Sequence, residues 1–143
     1  MKSTISVVLV LFMFFQACKN ETKEAKEKTR MERVMQVHDD LMPKMGDIGK
    51  LISAIEPKID STEIGQTYQV AKDSLVAAYD YMMDWMKGFG EKFESAEVLE
   101  GKALSSEKEA LLIEEEKKVN TMKAMMLGSI ENAETLLGTS EAK

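Results

Sequence analysis

The chain has 143 residues with 19 basic and 25 acidic side chains, a formal net charge of −6, and a single cysteine, histidine and tryptophan. That length suits one domain, the acidic balance with mixed signs argues against nucleic acid and anionic lipid as partners, and one cysteine forbids an internal disulfide. One histidine leaves little room for acid–base catalysis near neutral pH, and the sequence has no Gly-rich phosphate loop, His-Glu-x-x-His motif or Ser/His/Asp set.

Lys2 precedes an almost wholly apolar run, Ile5 to Phe15, broken only by Ser6. The run has the length of a signal-peptide h-region and falls short of the about 20 apolar residues of a membrane-spanning helix. It closes on Phe15, Gln16, Ala17 and Cys18, then turns polar at Lys19, Asn20 and Glu21. Ala17-Cys18 at this place resembles the lipobox read by bacterial lipoprotein signal peptidase, with Phe15 and Gln16 where an aliphatic and a small residue are usual. The resemblance implies cleavage before Cys18 and acylation of its thiol, palmitate included, so that the protein is anchored to a membrane. It implies a place in the cell envelope, the outer membrane favoured over the inner and either face open. Residues 1–17 are then a signal peptide, 18–30 a lipidated cysteine and charged tether, 31–138 a helical domain and 139–143 a disordered tail.

Without Met1–Ala17, which carries only the charge of Lys2, 126 residues remain, with 18 basic and 25 acidic side chains. Lys19 to Arg30 contains one alanine and no larger apolar side chain, too little to offset chain entropy by burial, so it reads as a solvated tether. From Met31 the apolar residues fall at 31, 34, 35, 37, 41, 42, 45, 48, 51, 52 and 55, with His38 in the same pattern. This is helical spacing and predicts a first helix over 31–55, with residue 24 as an earlier start. Pro43 lies inside it and predicts either a kink or a restart capped by Asp39 or Asp40. Glu56-Pro57 ends it.

Asp60-Ser61-Thr62-Glu63 reads as a capping box, and apolar positions 64, 68, 71, 75, 78, 79, 82, 85, 86 and 89 extend a second helix to Lys87 or Phe93. Ser106-Glu107-Lys108-Glu109 reads as another, opening a third helix with its stripe at 111, 112, 119, 122, 126, 130, 133 and 137 and Gly138 as its C′ residue. Short connections between long amphipathic segments favour antiparallel neighbours. The expected fold is all-α, an up-down-up antiparallel three-helix bundle of coiled-coil character; the rival is a helical hairpin completed by dimerisation, so a homo-oligomer stays open.

Of the 12 methionines, those after Ala17 cluster as Met31, Met35, Met42 and Met45, as Met82, Met83 and Met86, and as Met122, Met125 and Met126. His38 continues the first cluster, so Met35, His38, Met42 and Met45 share one helix face. If the first two helices fold back on each other, His38 comes level with Asp84, Trp85 and Met86. Thioethers with an imidazole make a soft metal site that selects Cu(I) over zinc or calcium. The plainer reading is that methionine fills irregular core gaps and Trp85 is the main core aromatic; a Met-rich groove for a partner helix is a third. Glu114-Glu115-Glu116-Lys117-Lys118 reads as a solvated face, and Asp39-Asp40 as caps or surface.

The stretches Val34 to Ile48 and Tyr81 to Phe89 look like segments of small helical bacterial lipoproteins carrying the label "viral A-type inclusion protein". That resemblance implies class and location and no activity. The expectation is a lipid-anchored, non-enzymatic protein with a binding or structural role, its partners the membrane through Cys18 and an envelope protein. The alternative is a copper protein using His38, Met35, Met42 and Met45.

Overall fold

A computed structural model describes the backbone of residues 28–141 and the side chains of 28–138. Cys18, the apolar run and most of the tether therefore lie outside the described residues. Among the described residues the protein is all-α: α1 is Arg30–Ile55, α2 Glu63–Gly90, α3 Ser95–Leu99 and α4 Ser106–Glu141, with a 3-10 turn at Glu56–Lys58. None of these helices is long and apolar enough to cross a membrane.

α1 begins where local chemistry starts it. Thr29 Oγ1 accepts from the Glu32 amide at 3.2 Å while Glu32 Oε2 accepts from the Thr29 amide at 2.6 Å, so two of the orphan donors of the first turn are satisfied reciprocally. The helix then runs through Pro43 without a break, so the predicted restart at Asp39 or Asp40 does not occur. Proline removes the bond to the carbonyl four residues back, that of Asp39. Both Pro43 and Asp39 are exposed, so water meets the freed carbonyl. Leu41 and Ile48, buried on either side of the proline, hold the two halves to the same core. Glu56 keeps right-handed helical angles (φ −46°, ψ −47°), and the chain tightens into the 3-10 turn with Pro57 in its first positions, where a missing N–H costs nothing.

The first cap of α2 is Thr62, whose side chain accepts from Gly65 N, one pair inside the box read from the sequence; Asp60 instead accepts from Thr62 N. A Cβ on Gly65 would stand 2.6 Å from Asp60 N and 2.7 Å from its carbonyl oxygen, so the turn lies directly on the helix and only glycine fits. α4 is capped one residue earlier than expected, by Ser105 Oγ accepting from Lys108 N at 3.2 Å. At its other end α4 continues past Gly138 to Glu141, so Gly138 is not a C′ residue. The left-handed glycine is Gly101 (φ 71°), which turns the chain out of the unpredicted α3 as Lys102 N reaches back to Ala96 O at 3.1 Å.

α1, α2 and α4 each pack against the other two around one core. On α1 the core positions are Met31, Val34, His38, Leu41, Met45, Ile48, Ile52 and Ile55, in steps of three and four. On α2 they are Tyr68, Ala71, Leu75, Ala78, Met82, Trp85 and Phe89 in the same steps, and on α4 Leu112, Glu115, Val119, Met122 and Met126. Such a 3-4 rhythm keeps one seam of each helix facing its neighbours along the whole length. Fully burying a leucine or isoleucine in this seam contributes about 1.5–3 kcal/mol.

Candidate functional site

The core rhythm assigns three seam positions to side chains that do not belong in an oily interior: His38 on α1, Trp85 on α2 and Glu115 on α4. His38 falls between buried Val34 and Leu41. Its ring lies 5.6 Å from Trp85, tilted by 33°. Trp85 stacks on Phe89 at 4.9 Å, and Phe89 meets Phe93 at 4.7 Å. The result is a row of four rings running from the N-terminal third of α1 and the last turns of α2 to the segment that leads into α3. Aromatic pairs at these separations add to their area burial, and flat rings leave space beside them that branched aliphatics would fill.

That space is a groove of about 350 Å³ lined by Met35, His38, Trp85, Met86, Phe89 and Phe93, with Val98 and Leu99 of α3 along one wall. Leu99 is 81% exposed, the most solvated of the large apolar side chains among the described residues. His38 Nδ1 stands 2.9 Å from Asp39 Oδ1. An ionised carboxylate only accepts, so Nδ1 carries the proton and Nε2 is left with its lone pair in the neutral ring. The His38 side chain is 15% exposed and its Asp39 partner 66%.

Of the residues singled out by the methionine–histidine pattern, Met35 and His38 line the groove together with Met86 and Trp85 of α2. Met45 packs half-buried against the core and Met42 is 41% exposed; neither lines the groove. Asp84 is not there either. It lines a second cleft of about 250 Å³ on another side of Trp85, with Tyr81, Lys92, Glu115 and Lys118. Among the described residues, no group of three or more His, Cys, Asp or Glu side chains is placed to hold a metal ion.

Glu115 corrects the reading of 114–118 as a solvated face. Its side chain is only 2% exposed, and it receives Lys92 Nζ and Lys118 Nζ, each at 2.9 Å. Burial pushes its carboxyl up, and the two ammonium hydrogen bonds outweigh that and hold it below the ordinary glutamate range. Glu116 beside it accepts from Arg33 Nε and Arg30 Nε, both at 2.9 Å. Here too burial raises the pKa and the guanidinium bonds bring it below the usual value. Glu97, buried on α3, is held low by a hydrogen bond from Lys108 and another from the Glu94 amide. The 3-4 count from Leu112 to Val119 passes through Glu115 and would have found it; Glu97 depends on a helix with no periodic signal.

One atom in this region lacks a partner. Trp85 Nε1 is buried with no hydrogen-bond acceptor, although Trp85 is 6% exposed and touches both clefts. An orphaned buried donor costs about 1–3 kcal/mol, which phenylalanine at the same position would avoid.

Comparison with protein-family models, with curated proteins and with solved structures returns no match to this chain. The functional reading therefore rests on its own residues.

Proposed function

We propose that the protein is a lipid-anchored, non-enzymatic binding protein of the bacterial cell envelope, and that the groove beside the His38–Trp85–Phe89–Phe93 row is its binding site. The observation that carries this reading is the position of the groove. Met35, on its wall, lies five residues into α1, about 8 Å along the helix axis from the end where the tether would join. A site there lies at the end of the bundle to which a tether from an acylated Cys18 would lead. The only imidazole lies tilted against Trp85 and is bound to Asp39 rather than set beside a nucleophile, which favours binding over catalysis.

The architecture proposed with it is an up-down-up antiparallel three-helix bundle. Supporting it are cross-contacts at both ends: His38 meets Trp85 near the start of α1 and the end of α2, and Glu56, just after α1, meets Lys72 in the first half of α2. Tyr68 of α2 meets Leu136 of α4, and Lys92, just after α2, meets Glu115 of α4. The lipid anchor at Cys18 rests on the resemblance of the leader to a lipobox, and a partner protein of the envelope remains the expected occupant of the surface around Leu99.

Mass spectrometry of the mature N-terminus tests location: acylated Cys18 at residue one is expected, and Cys18→Ala should leave the protein unanchored. An intact leader, or an unmodified thiol on protein in the aqueous fraction, ends the anchored reading. A photocrosslinking residue at Leu99, in cells, should capture an envelope component that the same residue at exposed Val70 does not; equal capture at both sites removes the groove from the proposal.

A further inference from the structure

We infer that the groove is a site for a soft monovalent cation, Cu(I), held by the Met35 and Met86 thioethers and His38 Nε2 beside Trp85. The inference rests on the groove being the binding site and names what it binds. Three observations converge on it. Met35, His38 and Met86 come from two helices and line one groove, so the donors do not depend on a single helix face. Thioether and neutral imidazole together form a donor set that favours Cu(I), whereas zinc and calcium prefer thiolate, imidazole or carboxylate oxygen.

The imidazole is prepared as a ligand should be. Its Nδ1–H is committed to Asp39 at 2.9 Å, which fixes the tautomer and orientation and leaves Nε2 unprotonated for a metal, the carboxylate–histidine arrangement common behind metal ligands. Asp39 is outside the core and its charge is mostly solvated, so it orients the ring without bringing an anion into the groove.

Trp85 supplies the third observation. Trp85 lines the same groove as Met35, His38 and Met86. Among the aromatic residues tryptophan has the ring face that holds a cation best, and here that ring lies 5.6 Å from the imidazole. The predicted set is thereby revised: Met42 and Met45 drop out, and Met86 replaces them from across the helix pair.

Trp85 is the only tryptophan in the chain, so its fluorescence reports this site alone. Full-length Cys18→Ser protein in detergent, free of any thiol contribution, is titrated with Ag(I) as a redox-inert analogue and with Cu(I) against a chromogenic chelator. One equivalent of each should bind and quench Trp85, and Zn(II) should not. The double variant His38→Gln, Met86→Leu should lose the quench at micromolar metal with its helical circular dichroism and melting intact, while Asp39→Asn should weaken binding by about tenfold through the ring it orients. Met42→Leu and Met83→Leu, at exposed positions, should leave it unchanged. The inference is overturned by absence of quenching at micromolar Ag(I), by quenching that survives the double variant, by tighter binding of Zn(II), or by equal loss in Met42→Leu. If the double variant does not fold, Met86→Leu alone decides, by the same criterion. Failure here with a groove-specific crosslink at Leu99 removes only the metal; failure of both removes the groove.

Discussion

The end of the molecule that holds the α1–α2 turn and the end that holds the groove are built from the same 3-4 rhythm and differ in what fills it. Toward the turn the seam positions are Ile48, Ile55, Ala71, Leu75, Ala78, Ile130 and Ala133, all buried, and small residues on α2 let the helices close around branched aliphatics. Toward the groove the seam mixes apolar Met31, Val34 and Leu112 with His38, Trp85, Phe89 and Glu115, Phe93 follows just beyond α2, and two clefts lie beside Trp85. Among the described residues the ion pairs that join separate elements also gather there: Arg30 and Arg33 with Glu116, Lys92 with Glu115 and Lys108 with Glu97, with Lys72–Glu56 the exception at the turn end. One end has an aliphatic seam, with a cleft of about 420 Å³ beside it at Ser74, Ala77, Gly128 and Ser129. The other is braced by charge and rings, with two clefts beside Trp85.

Substitutions can break this comparison. Leu75→Ala should destabilise by about 2–5 kcal/mol in urea unfolding, because a close-packed aliphatic layer cannot collapse around the void. Met35→Ala and Met86→Ala, half-buried beside existing space, should cost clearly less; equal costs would mean that the groove end is packed as tightly as the turn end. Gly65→Ala comes next, at about 1–3 kcal/mol of overpacking, since its Cβ would meet Asp60 backbone at 2.6 Å and 2.7 Å; a neutral result would show that the turn yields easily.

The bracing of the groove end should answer to pH. Glu115, Glu116 and Glu97 all have folded-state pKa values below their ordinary range. A carboxylate depressed by folding contributes stability that is fully present above its unfolded pKa, about 4.3 for glutamate, and is lost as pH falls through the lower folded value. Stability measured by urea should therefore fall as pH drops below about 4. Glu115→Gln should cost about 1–3 kcal/mol at pH 7, the lysines at 31% and 47% side-chain exposure keeping part of their hydration, and the gap to the wild type should narrow as the carboxylate range is crossed. A gap constant from pH 7 to pH 3 would show that Glu115 acts through shape and not through charge.

Much of this was legible in the chain before any coordinates. The spacing from Met31 to Ile55 and from Tyr68 to Phe89 marks helices because apolar residues three and four apart can reach one seam only on a helix. Thr29 and Glu32 also stand three apart with a helical pattern after them, a capping signal available in the sequence but hidden by the charged composition around it. Pro43 misleads for a physical reason: its local cost is about 3 kcal/mol, and burial of Leu41 and Ile48 on the same helix works against it. Composition likewise hid Glu115, because a run of charges looks solvated until the register is counted through it.

The sequence by itself determined that the described chain is helical, where its long helices lie and which residues form their seams, because periodicity and capping act within a few neighbouring residues. Only the tertiary structure decided which side chains share a cleft. It brought Met86 of α2 rather than Met42 or Met45 of α1 to the groove with His38, turned Asp84 to a different cleft, and buried Glu115 between two lysines. Those outcomes depend on how far one helix is shifted and rotated against the next, and a shift of one residue turns a helical side chain by about 100°, which no pattern along a single segment records.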